Sequence, residues 1–589
     1  MRRCERFESE THTARNRDND FFPCPFAVGW RLFRFLCLFV CLAVVRPILA
    51  APLHIDFMHE VDSKPLLIDS LRYKNSRGET ISVTRLAWLA TGFSLNTAGG
   101  EALVIPDRTA YVSNRGATLT LPDLPAEQIT SITFHIGPDR EINHADPTKH
   151  GANSPLNPNV NALHWDWEGG SIFLAMEGHW RALGRKLPEG YAYHFARDSN
   201  RTAITLPFEL DLSQESRVAI ALDPLKLLAG LSFATDGATA HSSEGDPVSD
   251  RLKANLSSVF RIRGIKKGGL PRPPDPPKPI DLPRNPKPYP IRLPKHVPLP
   301  MLPTDNPVIA QRVALGEKPF NEPRLSRNDS ISCASCHQGD SLSDPRQFSP
   351  GVDGKHGNRH SMPLFNLAWK TSFFWDGRSA SLREQALVPI EDPLEMNETL
   401  ERVVSKLAAD PTYSSLFAEA FGSGKISPRN IGLAIENFLL TRLSFDSKLD
   451  CKVTLTPTEQ RGFELFFTER EPRLGRRGAD FFHCHGGAHF TDHGFHNNGL
   501  STTEDIGLAR TTGLASDRFK FSTPSLWNIS KNAPYMHDGR FRTLEEVVEH
   551  YNAPPTLSET LDPNLAKHRA GLEFFEADKT ALIFFLKTL

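Results

Sequence analysis

The chain has 589 residues, too many for one hydrophobic core at ~150 residues per domain, so several domains are expected. Its 68 Lys and Arg against 69 Asp and Glu leave a net charge of −1, which excludes a global basic field for recruiting nucleic acid or an anionic membrane. Four of its eight cysteines (Cys4, Cys24, Cys37, Cys41) fall within the first 50 residues, and Cys333 and Cys336 stand beside a histidine, so the set is not a disulfide framework.

In chain order, the apolar run FLCLFVCLAVV at 35–45 follows Arg31 and Arg34 and precedes P-I-L-A-A-P, the pattern of a secretory signal over 1–50. It is too short to cross ~30 Å of hydrocarbon. A periplasmic protein with no stable membrane span is expected once the signal is removed, an uncleaved anchor being the alternative. Residues 52–262 run as short alternating segments such as ISVTRLAWLA, SITFHIG, SIFLAMEG and TAITLPFELDL between Gly, Asn and Pro clusters, which predicts an all-β sandwich. A Pro-rich linker is expected over 263–303. It carries 14 prolines in the 33 residues from 271 to 303, a composition that favours a semi-rigid polyproline II spacer. Beyond 304 the texture becomes amphipathic and helical, in TLERVVSKLAA, NIGLAIENFLLTRL, TPTEQRGFELFF and ADKTALIFFLKTL. Two C-H signatures, at 336–337 and 484–485, mark an internal duplication and predict tandem α-helical cytochrome c-type domains over 304–450 and 451–589.

C333-A-S-C336-H337 is a full haem c attachment motif: two thiols add to the haem vinyls and His337 supplies the proximal imidazole. The second signature, DFFHCHGG at 480–487, has Phe481 where the first cysteine would stand. Cys484 can still form one thioether and His485 can still ligate iron, so a second haem c held by a single sulfur is expected, a degenerate site without haem being the alternative.

RLSRNDSISCASCH, SFFWDGRSASLREQALVPIEDPLEM, HGGAHFTDHGFHNNGL and TPSLWNISKNAPYMHDGRFRTLEEVVEHY give residues 304–589 a resemblance to the bacterial dihaem cytochrome c peroxidase and MauG superfamily. The resemblance implies a peroxide-reactive first haem, a second haem that stores oxidising equivalents, and Trp375 between them. It also implies Glu395 as the distal acid with Gln385 as its neighbour, and a calcium ion held by Asn366 with the backbone at Asn532 and Pro534. At the second haem's distal position, the electron-accepting peroxidases have Met whereas MauG-like enzymes have Tyr; Tyr551 in E-V-V-E-H-Y tilts the reading towards MauG, since a phenolate favours high-valent iron. The neighbouring His550 and Met536 are expected to pack.

ITFHIGPDREINHADP, SPLNPN, LHWDWEGGSIFLAMEG and YAYHF give the β region a resemblance to MbnP-like copper proteins, which are encoded beside MauG-like enzymes (MbnH). In that family the dihaem partner oxidises a tryptophan to kynurenine beside a copper site. Here both would be one chain, with Trp165 or Trp167 as the modified residue and His144, His164 and His194 as copper ligands, imidazole being suited to copper.

The sequence thus predicts a peroxide-using dihaem oxidoreductase that oxidises a tryptophan of its own tethered domain. Two other readings stand beside it: an ordinary cytochrome c peroxidase supplied with electrons by a small periplasmic cytochrome, and a non-enzymatic copper-binding or electron-transfer protein.

Overall fold

A computed structural model describes residues 51–165, 170–269, 282–295, 297–339, 342–500 and 504–589. The expected signal, Trp167 and the first part of the Pro-rich segment lie outside the described residues. No helix among the described residues is long and apolar enough to cross a membrane.

The N-terminal half is a sandwich of two sheets. In one, Ala51–Val61 runs parallel to Ser216–Leu222 and antiparallel to Ala117–Leu124, with Phe260–Lys267 pairing on the far side of Ser216–Leu222. The other has the order Thr202–Asp211, Gln128–Ile136, Arg85–Thr97, Gly170–Arg181, Glu189–Ala196, Thr239–Ala240. Phe57, Trp88, Phe134 and Phe260 interlock between the sheets, with Phe57 edge-on to Trp88 at 5.1 Å and Phe134 edge-on to Phe260 at 5.4 Å. Such aromatic pairs add to the hydrophobic gain of burying their area. The strand Phe260–Lys267 carries this domain past the expected boundary at 262, because its backbone completes the ladder of Ser216–Leu222.

Burial explains which strands were legible. Thr202–Asp211, at the end of the sheet order, buries Ile204, Leu206, Phe208 and Leu210 and exposes the residues between, the period-two pattern of a half-buried strand. Pro207 is tolerated at this edge. Gly170–Arg181 and Glu189–Ala196 are instead buried on both faces. Tyr191, Tyr193 and Phe195 point into the sandwich, whereas Ala175 and Ala196, with Ala87, Leu89, Leu163 and Trp165 from neighbouring segments, join a core shared with Phe466, Phe482 and Phe585 of the C-terminal half. One sheet of the sandwich is thus covered by the second helical domain.

The C-terminal half repeats one design twice. In the first domain Ala310–Phe320 crosses Pro428–Leu440; in the second Pro457–Phe467 crosses Glu576–Leu586. A glycine sits at each crossing: a Cβ at Gly316 would lie 2.0 Å from the Ala434 carbonyl oxygen, and one at Gly462 2.0 Å from that of Ala581. Only glycine permits so close an approach. Ser444, between the domains, accepts Asn528 Nδ2 on its hydroxyl at 2.6 Å while its backbone exchanges two hydrogen bonds with the Asn366 amide. The linker expected over 263–303 is not a free spacer throughout. Tyr289 N donates to Val308 O, Trp369 Nε1 donates to Pro298 O at 2.9 Å and Val297 is buried, so the described residues from 282 onward pack on the first helical domain. Proline-rich backbone has unpaired carbonyls to offer, and these are taken by that domain's donors.

Candidate dihaem active site

At the first site the helical turn Cys333–Cys336 puts two sulfurs three residues apart on one face, and Ser335 Oγ reaches back to accept the Ser332 N–H at 3.0 Å. His337 donates its Nδ1 proton to Leu342 O at 3.0 Å, leaving the Nε2 lone pair for iron. Burial holds the imidazole down at about 4, in its ligating neutral form. Glu395, on the turn that follows Asp392, is near enough to Cys333 and Cys336 to add to the burial that raises both thiols. Burial, assisted by Asp392 and opposed by Arg378, raises its carboxyl to about 7. A group with that affinity both takes and returns a proton near neutral pH. Gln385 closes the short helix Leu382–Gln385, which Arg383 anchors to Asp305 and Glu436 at 2.7–3.1 Å.

The second site repeats the proximal geometry. His485 Nδ1 donates to Phe490 O at 3.1 Å, again five residues on, and burial again holds the imidazole at about 4. A cavity of about 1650 Å³, part of it open to solvent, is lined by Phe481, Cys484, His485, Trp375, Met536 and Tyr551 among others. It suits a haem: one sulfur, one imidazole and a largely apolar wall converge there. Phe481 fills the place of the missing cysteine by packing edge-on against Phe466 at 5.7 Å and Tyr551 at 5.1 Å. Tyr551 rides on Leu544–Asn552, started by the reciprocal cap of Thr543 and Glu546, and burial raises its phenol to about 12. Asn498 Nδ2 lies 3.4 Å from both the Tyr551 hydroxyl and the Met536 sulfur, and His550, which also lines this cavity, donates to Asn498 O at 3.0 Å.

Between the sites, the Trp375 indole N–H donates to His360 O at 2.8 Å and its ring meets His537 edge-on at 6.5 Å. Arg359 bridges Asp376 and Asp505, each at 2.7 Å, and so fixes the turn that carries Trp375. Sequence reasoning missed His496, which lines the second cavity between Asp492 at 2.7 Å and Asp562 at 2.6 Å. Burial works against its charge, yet Asp492 and Asp562 hold the imidazole well above its ordinary range. Its spacing from Asp492 in F-T-D-H-G-F-H was the available signal.

The remaining expected residues are not all brought together. Of the calcium set, Asn366 spends its amide on Ser444, while the buried Asn532 Oδ1 has no hydrogen-bond partner. Of the copper set, His144 is exposed and pairs with Asp198 at 3.0 Å, and His164 lies at the edge of a cleft with Trp165. His194 is fully buried elsewhere, against Glu177, His241 and Glu469, and the described residues show no three-ligand group combining these three histidines. Trp165 is buried edge-on to His194 at 6.5 Å, and shares its cleft with Phe482, His483, Gly486 and Asp492, the segment that flanks His485.

Two helical domains, each presenting a cysteine-histidine turn, with a tryptophan between, define a c-type dihaem oxidoreductase. A family model described as di-haem cytochrome c peroxidase matches residues 310–455, and one described as MbnP matches residues 50–243. The methylamine utilization protein MauG of Methylorubrum extorquens is 36% identical over 312 residues, 51% of this chain and 83% of that protein. The cytochrome c peroxidase Ccp of Escherichia coli is 30% identical over 310 residues, 50% of this chain and 61% of that one. A crystal structure of a MauG-like protein associated with microbial copper homeostasis is 32% identical, with a TM-score of 0.46, covering 51% of this chain and 95% of that one. The chain belongs to the di-haem cytochrome c peroxidase family and carries an MbnP domain at its N-terminal end.

Two outcomes test the second site. If Phe481 leaves one vinyl unreacted, the pyridine haemochrome of wild type contains one ordinary and one red-shifted component, and Phe481→Cys makes them coincide; a single component in wild type contradicts a single thioether. Tyr551→Met is expected to keep the iron and haem content but to shift the second site's absorption and EPR spectra, because Met raises the haem potential where phenolate does not. Unchanged spectra would remove Tyr551 from the iron.

Proposed function

We propose that this exported peroxidase oxidises Trp165 of its own MbnP domain at the expense of hydrogen peroxide. Haem, held through Cys333, Cys336 and His337 at one site and through Cys484, His485 and Tyr551 at the other, supplies the peroxide and one-electron chemistry. Glu395 accepts the peroxide proton and returns it to the departing oxygen. Trp375, held by the His360 carbonyl, carries electrons between the two sites. Two equivalents of peroxide, reduced to water, take four electrons from Trp165: its indole ring gains two oxygens and opens to an N-formyl group, and hydrolysis releases that carbon as formate to leave kynurenine.

The observation that carries this reading is the burial of Trp165 against the segment flanking His485. A tethered substrate also replaces a bimolecular encounter by an effective concentration that reaches mM. We also propose a calcium ion held by Asn366 with the backbone at Asn532 and Pro534, hard oxygen ligands that suit calcium, although the Asn366 amide also bonds the Ser444 backbone. The test is a comparison of electron donors: without any added reductant, wild type should consume a few equivalents of peroxide per chain and Trp165→Phe should consume fewer. Sustained turnover only with a reduced small cytochrome, unaffected by Trp165→Phe, would support the ordinary peroxidase instead.

A further inference from the structure

We propose that His194, His241 and Glu469 form a divalent-cation site shared by the two halves of the molecule, suited to Zn²⁺ or Cu²⁺. His194 Nδ1 and His241 Nδ1 are 3.2 Å apart, and Glu469 Oε1 lies 3.0 Å from His241 Nδ1 and 3.6 Å from His194 Nδ1. Three ligands each about 2.0–2.2 Å from one tetrahedral ion stand about 3.3–3.6 Å from one another, close to the observed triangle. All three side chains are buried, at 1%, 5% and 4% exposure.

Hydrogen bonding supports two of the three ligands, while His241 Nε2 is buried without a partner and His241 Nδ1 lies within hydrogen-bonding distance of His194 Nδ1. His194 Nε2 lies 3.0 Å from Glu177 Oε1, which can only accept, so this nitrogen carries the proton and Nδ1 offers its lone pair to the triangle. An imidazole whose second nitrogen donates to a carboxylate is the usual support of a metal-bound histidine. Glu469 Oε1 is buried and makes no hydrogen bond, despite its closeness to the His241 nitrogen. Its other oxygen accepts from His483 Nε2 at 3.0 Å, which steers Oε1 inward. Two imidazoles with one carboxylate suit Zn²⁺ or Cu²⁺ better than Cu⁺, which takes soft sulfur ligands.

His194 and His241 come from the sandwich and Glu469 from the second haem domain, so the site exists only when the halves are docked. By linkage, the ion strengthens that docking. The inference is independent of the peroxidase reading, and it differs from a copper site built on the β domain alone by requiring Glu469.

The test uses the full-length holoprotein, treated with chelator, reloaded with ZnCl₂ or CuSO₄ alone, dialysed, and analysed for metal against haem iron. The expected result is one Zn or Cu per chain beyond the iron. Glu469→Gln and His241→Ala should abolish retention, and Glu177→Gln should weaken affinity by roughly 10–100-fold. His144→Ala and His164→Ala should retain the ion, and Cu²⁺ EPR should show coupling to two imidazole nitrogens. Thermal melting and haem spectra of Glu469→Gln, nearly isosteric, check that the fold survives. No retained metal in wild type, unchanged retention in Glu469→Gln, or loss in His144→Ala would each overturn the proposal.

Discussion

Glu395→Gln is expected to lower peroxide consumption by about 10²–10⁴-fold while leaving haem content unchanged, the range associated with losing a general acid–base. Gln keeps the shape and the hydrogen-bonding reach of the side chain but cannot accept the peroxide proton. The wild-type rate should also fall as pH drops below about 7, where the Glu395 carboxyl becomes protonated and no longer acts as a base. Stability follows the opposite course. The fold favours the neutral carboxyl, so its contribution is fully present below the ordinary carboxyl range near 4.5 and is lost as pH rises towards 7. Glu395→Gln, permanently neutral, should therefore melt close to wild type at pH 4 and above it at pH 8. Peroxide kinetics across this range check the first claim and calorimetry the second; a variant with wild-type turnover would remove Glu395 from the chemistry.

Gly190→Ala is expected to undock the sandwich from the second haem domain. A Cβ at Gly190 would lie 1.9 Å from the Pro563 carbonyl oxygen and 2.8 Å from the Lys567 nitrogen, backbone atoms that cannot step aside without moving the helix Pro563–Ala566. Overpacking of this kind costs about 1–3 kcal/mol or more. The neighbouring polar contacts would go with it: His179 to Leu561 O at 2.6 Å, Asn564 to Glu177 at 2.9 Å, and Arg569 to Glu189 at 3.0 Å. The sandwich and the first haem domain keep their own cores, so the first haem and its reaction with peroxide should persist, whereas the second haem domain loses part of the core it shares with the sandwich. Oxidation of Trp165 should disappear, and hydrogen exchange should rise along Gly170–Arg181 and Glu189–Ala196. Unchanged exchange together with normal Trp165 oxidation would show that docking does not depend on this contact.

The attachment motif, the duplication and the alternating strands were legible because each is local: a cysteine-histidine turn, a helical period, a period of two. The truncated motif at Phe481 was legible too, since the flanking residues keep their spacing, and the structure adds the aromatic packing that replaces the sulfur. The docking of the halves was not legible. S-I-F-L-A-M-E-G reads as a buried strand, yet nothing in it says that Ala175 and Glu177 face another domain. For the same reason His241, Glu469 and His483, scattered across the chain and each unremarkable in its own segment, converge only through topology. The Pro-rich segment misled in part, because composition reports backbone preference and not the surface that accepts its carbonyls.

The central claim is tested most directly by peptide mapping of the full-length protein after peroxide treatment. On the peptide carrying LHWDWEGG, Trp165 should gain about 4 Da, as replacement of one carbon by one oxygen in haem-driven oxidation requires, and the gain should be absent in Glu395→Gln and in Gly190→Ala. A fully dihaem protein whose Trp165 stays unmodified through single and repeated peroxide turnovers would contradict the account.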